Sequence, residues 1–274
     1  MNQATTAGRP RFDAGQSLPP PWIAGRTGTV DSRRYAIGCA LASAALFGAS
    51  TPFAKLLLGE VSPWLLAAVL YLGSGLGLAV WLALRTLGSK TEPIPSLARG
   101  DWPWLGGAIV AGGMTGPVLL MQGLALTDAG TSALLLNLEA VLTAVIAWTA
   151  FRENVDRRVF LGMLAIVAGG VLLAWEQAPR AGNLAGPLLV AAACLAWAID
   201  NNLTRKVSGG DAVLIASLKG LVAGGVNLVL ALAAGSALPA ASAIAAAGLL
   251  GLLGYGVSLV LFILALRGLG TART

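Results

Sequence analysis

Eight apolar stretches of spanning length follow one another after residue 34, and no other feature of the sequence constrains the fold as tightly. They run near 35–58, 63–85, 103–126, 131–151, 157–175, 185–207, 211–235 and 242–266. A bilayer core asks for roughly 20 apolar residues per helix. Lipid offers no partners to open backbone groups, so a spanning segment is a helix or belongs to a closed barrel. The alternating pattern of barrel strands is absent. The sequence therefore predicts an all-α polytopic membrane protein with eight transmembrane helices.

Composition agrees. The 274 residues are 57% apolar and 11% charged, with a mean hydropathy of +0.79. That excludes an ordinary soluble enzyme, a disordered chain and a disulfide scaffold. His is absent, which removes His relays, His-ligated metals and Ser-His nucleophiles. Cys39 and Cys194 lie inside apolar runs without a CxxC and read as packing residues. The net charge is +6, but the basic residues sit between apolar runs. They read as topology signals, and no nucleic-acid partner is expected.

Residues 1–34 differ in kind, with Pro10, Pro19, Pro20, Pro21 and five Arg residues. They lack the apolar core of a cleaved signal peptide and read as a flexible cytoplasmic tail. With the N-terminus inside, the inner segments take Arg9, Arg11, Arg26, Arg33, Arg34, Arg85, Lys90, Arg99, Arg152, Arg157, Arg158, Arg205, Lys206, Arg267 and Arg273. Lys55 and Arg180 fall outside and Lys219 lies within a span. The asymmetry predicts a multi-pass protein of the cytoplasmic (inner) membrane with a cytoplasmic N-terminus.

Self-comparison shows a weak internal repeat. Phe47-Gly-Ala-Ser-Thr-Pro-Phe-Ala-Lys55 lies over Trp197-Ala-Ile-Asp-Asn-Asn-Leu-Thr-Arg205, and Ala125-Leu-Thr-Asp-Ala-Gly-Thr131 over Ala265-Leu-Arg-Gly-Leu-Gly-Thr271. The first unit, 35–175, has five spans, so the second, 185–274, is inverted in the membrane. Inverted repeats point to a secondary transporter whose site lies near the midplane, between the halves. Thr274 corresponds to Leu134, so the second unit holds three spans, and a full duplication would bring the total to ten.

These residues resemble EamA-type transporters of the drug/metabolite transporter superfamily over 35–274. The resemblance rests on Phe47–Lys55, on Ala125-Leu-Thr-Asp-Ala-Gly-Thr-Ser-Ala133, on Asn137-Leu-Glu-Ala-Val141, on Phe151-Arg-Glu153 and on Gly169-Gly-Val-Leu-Leu173. In the second unit it rests on Trp197–Lys206 and Lys219-Gly-Leu-Val-Ala-Gly224. It implies ten helices in two inverted halves, a central cavity, alternating access and small metabolites as substrates. The last two of those helices have no counterpart here.

Polar groups inside spans are costly, so each is a candidate site residue. Asp200 and Lys219 lie roughly 13–15 Å from the turn at Ser208-Gly209-Gly210, at similar depth on consecutive helices. They read either as part of a substrate path or as a structural ion pair that offsets its own desolvation. Glu139 lies midway along the fourth span on a face shared with Ser132, Leu136 and Thr143, with no Lys or Arg nearby in sequence. A carboxylate in that setting suits a proton carrier, a cation contact or a hydrogen-bonded link between helices. Asn201 and Asn202 join Asp200 in a dense polar cluster. Ser50, Thr51 and Pro52 hold the matching place in the first unit, where Pro52 would free a carbonyl and kink the helix. Asn137 and Asn227, and Thr115 with Gln122 on the third span, complete the candidates.

Lys55 reads as a snorkelling side chain. Trp64, Trp81, Trp102, Trp104, Trp148 and Trp175 lie near span ends and read as an interfacial belt. Gly73 with Gly77, Gly112 with Gly116 and Gly220 with Gly224 are spaced for close helix approach. No Walker, dinucleotide or metal motif occurs, so no cofactor is expected. No nucleophile stands beside a base, so no enzyme is expected.

The expectation is a secondary transporter of amino-acid-like or drug-like solutes in the lipid bilayer, with proton-coupled export as the working mode. A non-transporting membrane protein or an inactive truncated copy is the alternative. A homodimer is compatible with the sequence without being required by it.

Overall fold

The computed structural model describes residues 29–88, 96–154, 156–176 and 184–274. Among these it is all-helical. Seven segments are long and apolar enough to cross a membrane. They are α1 (Thr29–Leu57), α2 (Pro63–Gly88), α3 (Arg99–Leu126), the pair α4 (Ala129–Leu136) and α5 (Leu138–Thr149), α7 (Ala185–Val207), α8 (Ala212–Ala233) and α9 (Ala241–Leu269). The helix α6 (Arg157–Glu176) has 20 residues and fills the place of the fifth expected span.

Two boundaries differ from the sequence reading. Helix α1 begins at Thr29, inside the expected tail, because Ser32, Arg33 and Arg34 break no helix. The rest of that tail, 1–28, lies outside the described residues. The fourth span is not continuous. It breaks at Asn137, whose side-chain amide donates to the carbonyls of Ala133 at 3.3 Å and Leu134 at 3.1 Å. An amide that competes for backbone acceptors ends a helix turn in this way.

Helix α2 is the hub. It packs along α8 and against α9 and α3, while α7 packs on α3 and α5, and α1 on α9. The glycines permit this closeness. A methyl group on Gly220 would run into the backbone of Gly75, and one on Gly73 into Gly248. Helices α1 and α9 also exchange hydroxyl bonds: Ser43 donates to the Ser258 carbonyl at 2.8 Å and Ser258 to the Ser43 carbonyl at 3.0 Å.

Two spans carry a π-helical centre, Ile109–Thr115 in α3 and Leu252–Val257 in α9. Pro52 leaves α1 unbroken in helical assignment; the nearby Ser50 hydroxyl bonds the Phe47 carbonyl at 2.6 Å. Lys55 does not snorkel. Its ammonium donates to the carbonyls of Leu124 and Thr127, the open acceptors at the end of α3. Trp81, Trp102, Trp104 and Trp148 are exposed, as a belt requires, but Trp64 is partly buried against the core.

Candidate functional site

A cavity of about 1090 Å³ enters the bundle between α1, α5, α6, α7 and α9. Its mouth lies at the end of the bundle that carries Arg33, Arg157, Arg158 and Arg273. Its floor lies where polar side chains of α5, α7 and α8 meet a cluster of aromatic rings.

The rings come from four helices. Phe47 of α1 meets Trp197 of α7 edge-on at 5.3 Å and Tyr255 of α9 at 5.5 Å, and Tyr255 stands 5.5 Å from Tyr71 of α2. Tyr71 and Trp197 also converge on one acceptor. The Tyr71 hydroxyl donates to the Gly112 carbonyl at 2.7 Å and the Trp197 indole N–H to the same oxygen at 2.9 Å.

Asp200 and Lys219 meet as the turn arithmetic anticipates, but by another route. Helices α7 and α8 share few contacts, since α3 lies between them. Lys219 is 1% exposed and reaches across to Asp200, with Nζ 2.5 and 2.7 Å from the two carboxylate oxygens. Thr204 closes a triangle: it accepts from Lys219 at 3.0 Å and donates to Asp200 at 2.8 Å. Gly112 makes the crossing passable, because a methyl group there would overlap the Asp200 carboxylate.

Glu139 comes from α5, which packs on α7 beside Asp200, and is partly buried. Its bonding partner is an amide: Asn201 donates to Glu139 at 2.8 Å and to the Thr143 hydroxyl at 3.2 Å. Below the mouth, where Asp156 lies, the cavity thus presents one carboxylate locked to a cation and one held by an amide.

The expected residues divide. Asp200, Lys219, Glu139, Asn201, Asn137 and Thr51 line the cavity. Asn202, Ser50, Thr115 and Gln122 do not. Asn202 is buried against α5, donating to the carbonyls of Thr143 at 3.1 Å and Ala198 at 2.8 Å. The Ser50 hydroxyl is spent on its own helix. Helix α3 turns its glycine face, not its Thr115 face, toward its neighbours, so Thr115 is exposed and bonds the Val110 carbonyl at 2.9 Å. Asn227 is fully buried and donates to the Gly113 carbonyl at 3.1 Å.

Sequence reasoning passed over Tyr71, Tyr255 and Glu153. The first two carry a readable signal, an aromatic residue in mid-span rather than at a span end. Glu153 ties the segment after α5 to the residues after α9. Its carboxylate accepts from Thr271 N at 3.0 Å, from the Thr271 hydroxyl at 2.8 Å and from Ala272 N at 3.2 Å. Beside it, Arg273 pairs with Asp156 at 2.9 Å. Backbone bonds from Val159, with Arg273 beside them, hold the Asp156 carboxyl below its usual range.

Comparison with known proteins adds a lineage to this geometry. Residues 34–175 match the EamA-like transporter family. An uncharacterized transporter of Methanothermobacter thermautotrophicus is 27% identical over 240 residues, covering 82% of this chain and 70% of that protein. A probable 4-amino-4-deoxy-L-arabinose-phosphoundecaprenol flippase subunit, ArnE, of Pseudomonas paraeruginosa is 39% identical over 75 residues. That match covers 27% of this chain and 63% of the flippase subunit. A crystal structure of another protein matches 87% of this chain and 79% of its own, with a TM-score of 0.65 and 19% identity. That last likeness speaks for the fold alone.

Proposed function

Because the chain belongs to the EamA-like transporter family, we propose that it exports small metabolites, amino-acid-like or drug-like, by proton-coupled alternating access. At the coarser level it is a multi-pass membrane transporter.

The cavity is the observation that carries the finer reading. It is large enough for a small solute, and it combines an aromatic floor with amides and carboxylates that lie within the apolar spans. Trp197 and Tyr255 would take an apolar or aromatic portion of the solute. Asn201 and Asn137 would take its polar groups. Glu139 is the coupling group, since among the described residues no side-chain cation bonds it and it borders the cavity. The Asp200–Lys219 pair fixes the floor electrostatically.

The count of Lys and Arg supports a cytoplasmic position for the N-terminus and for the mouth of the cavity, so this conformation is the one that loads solute from the cytoplasm. The inverted halves, 35–175 and 185–274, find support in the Phe47–Trp197 contact. These two residues occupy matching places in the repeat and meet each other, as residues near a pseudo-twofold axis do.

The test is flux in proteoliposomes loaded with a panel of amino acids and amphipathic amines. Wild type should move at least one of them faster when a proton gradient opposes the solute flow. Glu139→Gln should lose that acceleration. Equal acceleration in both would remove Glu139 from the coupling role.

A further inference from the structure

Helix α3 contains Gly112-Gly113-Met114-Thr115-Gly116-Pro117, and Pro117 has no N–H to give. In an α-helical register that donor would serve the Gly113 carbonyl. In a π register it would serve the Gly112 carbonyl. The Gly116 N–H is already committed to Ala111, the π spacing. The Gly112 carbonyl therefore needs donors from elsewhere and the Gly113 carbonyl lacks its α-helical one, deep in the bundle, where an open acceptor is costly.

Three helices supply them. Tyr71 of α2 and Trp197 of α7 both donate to the Gly112 oxygen, and Asn227 of α8 donates to the Gly113 oxygen. The same stretch seats the cavity floor. Gly112 lies against the Asp200 carboxylate and Gly116 against the Trp197 ring. The matching span α9 also turns π-helical at its centre, where Tyr255 touches Tyr71 and Phe47. π-bulges recur at functional sites because one surplus residue can be taken up or released without unfolding the helix.

We propose that the π-helical segment of α3 is the hinge of the transport cycle, and that Tyr71, Trp197 and Asn227 are the positioning residues that hold it in the cavity-open conformation. Taking up the surplus residue turns one end of α3 by roughly 100° against the other. That turn carries Gly112 away from Asp200 and Gly116 away from Trp197. The three donors then lose their acceptors, and the floor rearranges. The proposal rests on the transporter reading and adds to it the moving part.

The test reads conformation without a known substrate. Ala140 lines the cavity. Ala140→Cys, with Cys39 and Cys194 replaced by Ala, is labelled with a membrane-impermeant maleimide in everted and in right-side-out vesicles. Pro117→Ala supplies a backbone donor that competes with Tyr71, Trp197 and Asn227 for the Gly112 and Gly113 carbonyls and so weakens their hold on the π register. It should lower labelling from the mouth side, relative to the other side, by about fivefold, the shift that one net hydrogen bond produces. Tyr71→Phe combined with Asn227→Leu removes two of the holding donors and should shift the ratio the same way.

An unchanged ratio in the variants that fold, judged by a monodisperse elution profile, overturns the hinge. If Pro117→Ala does not fold, the Tyr71→Phe/Asn227→Leu pair decides alone. If it also fails, Trp197→Phe, which removes the remaining donor to Gly112, decides by the same ratio. A background protein labelled from one side only, under every condition, would instead overturn alternating access itself.

Discussion

Asp200 and Glu139 face the same cavity and answer burial in opposite ways. Asp200 is 5% exposed and meets its charge with Lys219 and Thr204. Glu139 is partly buried and has the Asn201 amide as its hydrogen-bond donor. A buried ion pair is poor evidence of stabilisation, because desolvation takes back much of what attraction gives. Once formed, though, neither partner can be removed cheaply. A carboxylate held by an amide is free of that constraint, which is why the proposed function gives the proton to Glu139. The difference teaches that position in a cavity does not assign a role. The partner does.

The largest effect should come from breaking the locked side. Lys219→Met leaves Asp200 buried without its cation and should cost about 3–5 kcal/mol, read as thermal unfolding in detergent. Adding Asp200→Asn should recover most of that loss. Gly112→Ala attacks the same pair sterically. Its methyl group overlaps the Asp200 carboxylate, and a loss of about 1–3 kcal/mol is expected from such overpacking.

A third carboxylate sharpens the contrast at the surface. Asp128 caps α4, accepting from Thr131 N at 2.8 Å, and Thr131's hydroxyl and backbone N–H hold its carboxyl below the usual value. Asp128→Ala should cost about 1 kcal/mol. Because its folded pKa is depressed, the contribution is complete above the ordinary Asp range and is lost as pH falls through the lowered value. An acid titration of stability, wild type against variant, should converge there. The smallest effect on stability should come from Glu139→Gln. The amide oxygen still accepts from Asn201, so the change should stay within about 1 kcal/mol. Its consequence is functional: the pH dependence of flux should flatten.

The fold was legible where one physical rule dominates. Apolar runs of membrane length can only become helices, and the spans fell within a few residues of their expected places. Asp200 and Lys219 were legible because equal distances from one turn set equal depth. What lies between them was not legible, because depth says nothing about which helix intervenes. The break at Asn137 was hidden by an apolar run that continues on both sides. Thr115 and Gln122 lie off the cavity, because shared spacing gives a face without saying where it points. Gly112, Gly116 and Pro117 were all visible, yet a carbonyl that lacks a donor shows its importance only when Tyr71, Trp197 and Asn227 are seen to converge on it.

The most direct test of the account is proton movement driven by solute. A pH-sensitive dye is trapped in proteoliposomes, and the solute panel is added on the side that faces the cavity mouth. Wild type should alkalinise the lumen as solute enters, because protons leave in exchange, while Glu139→Gln should carry the solute with no proton signal. Proton movement of equal size in the variant would contradict the division of labour between Glu139 and Asp200.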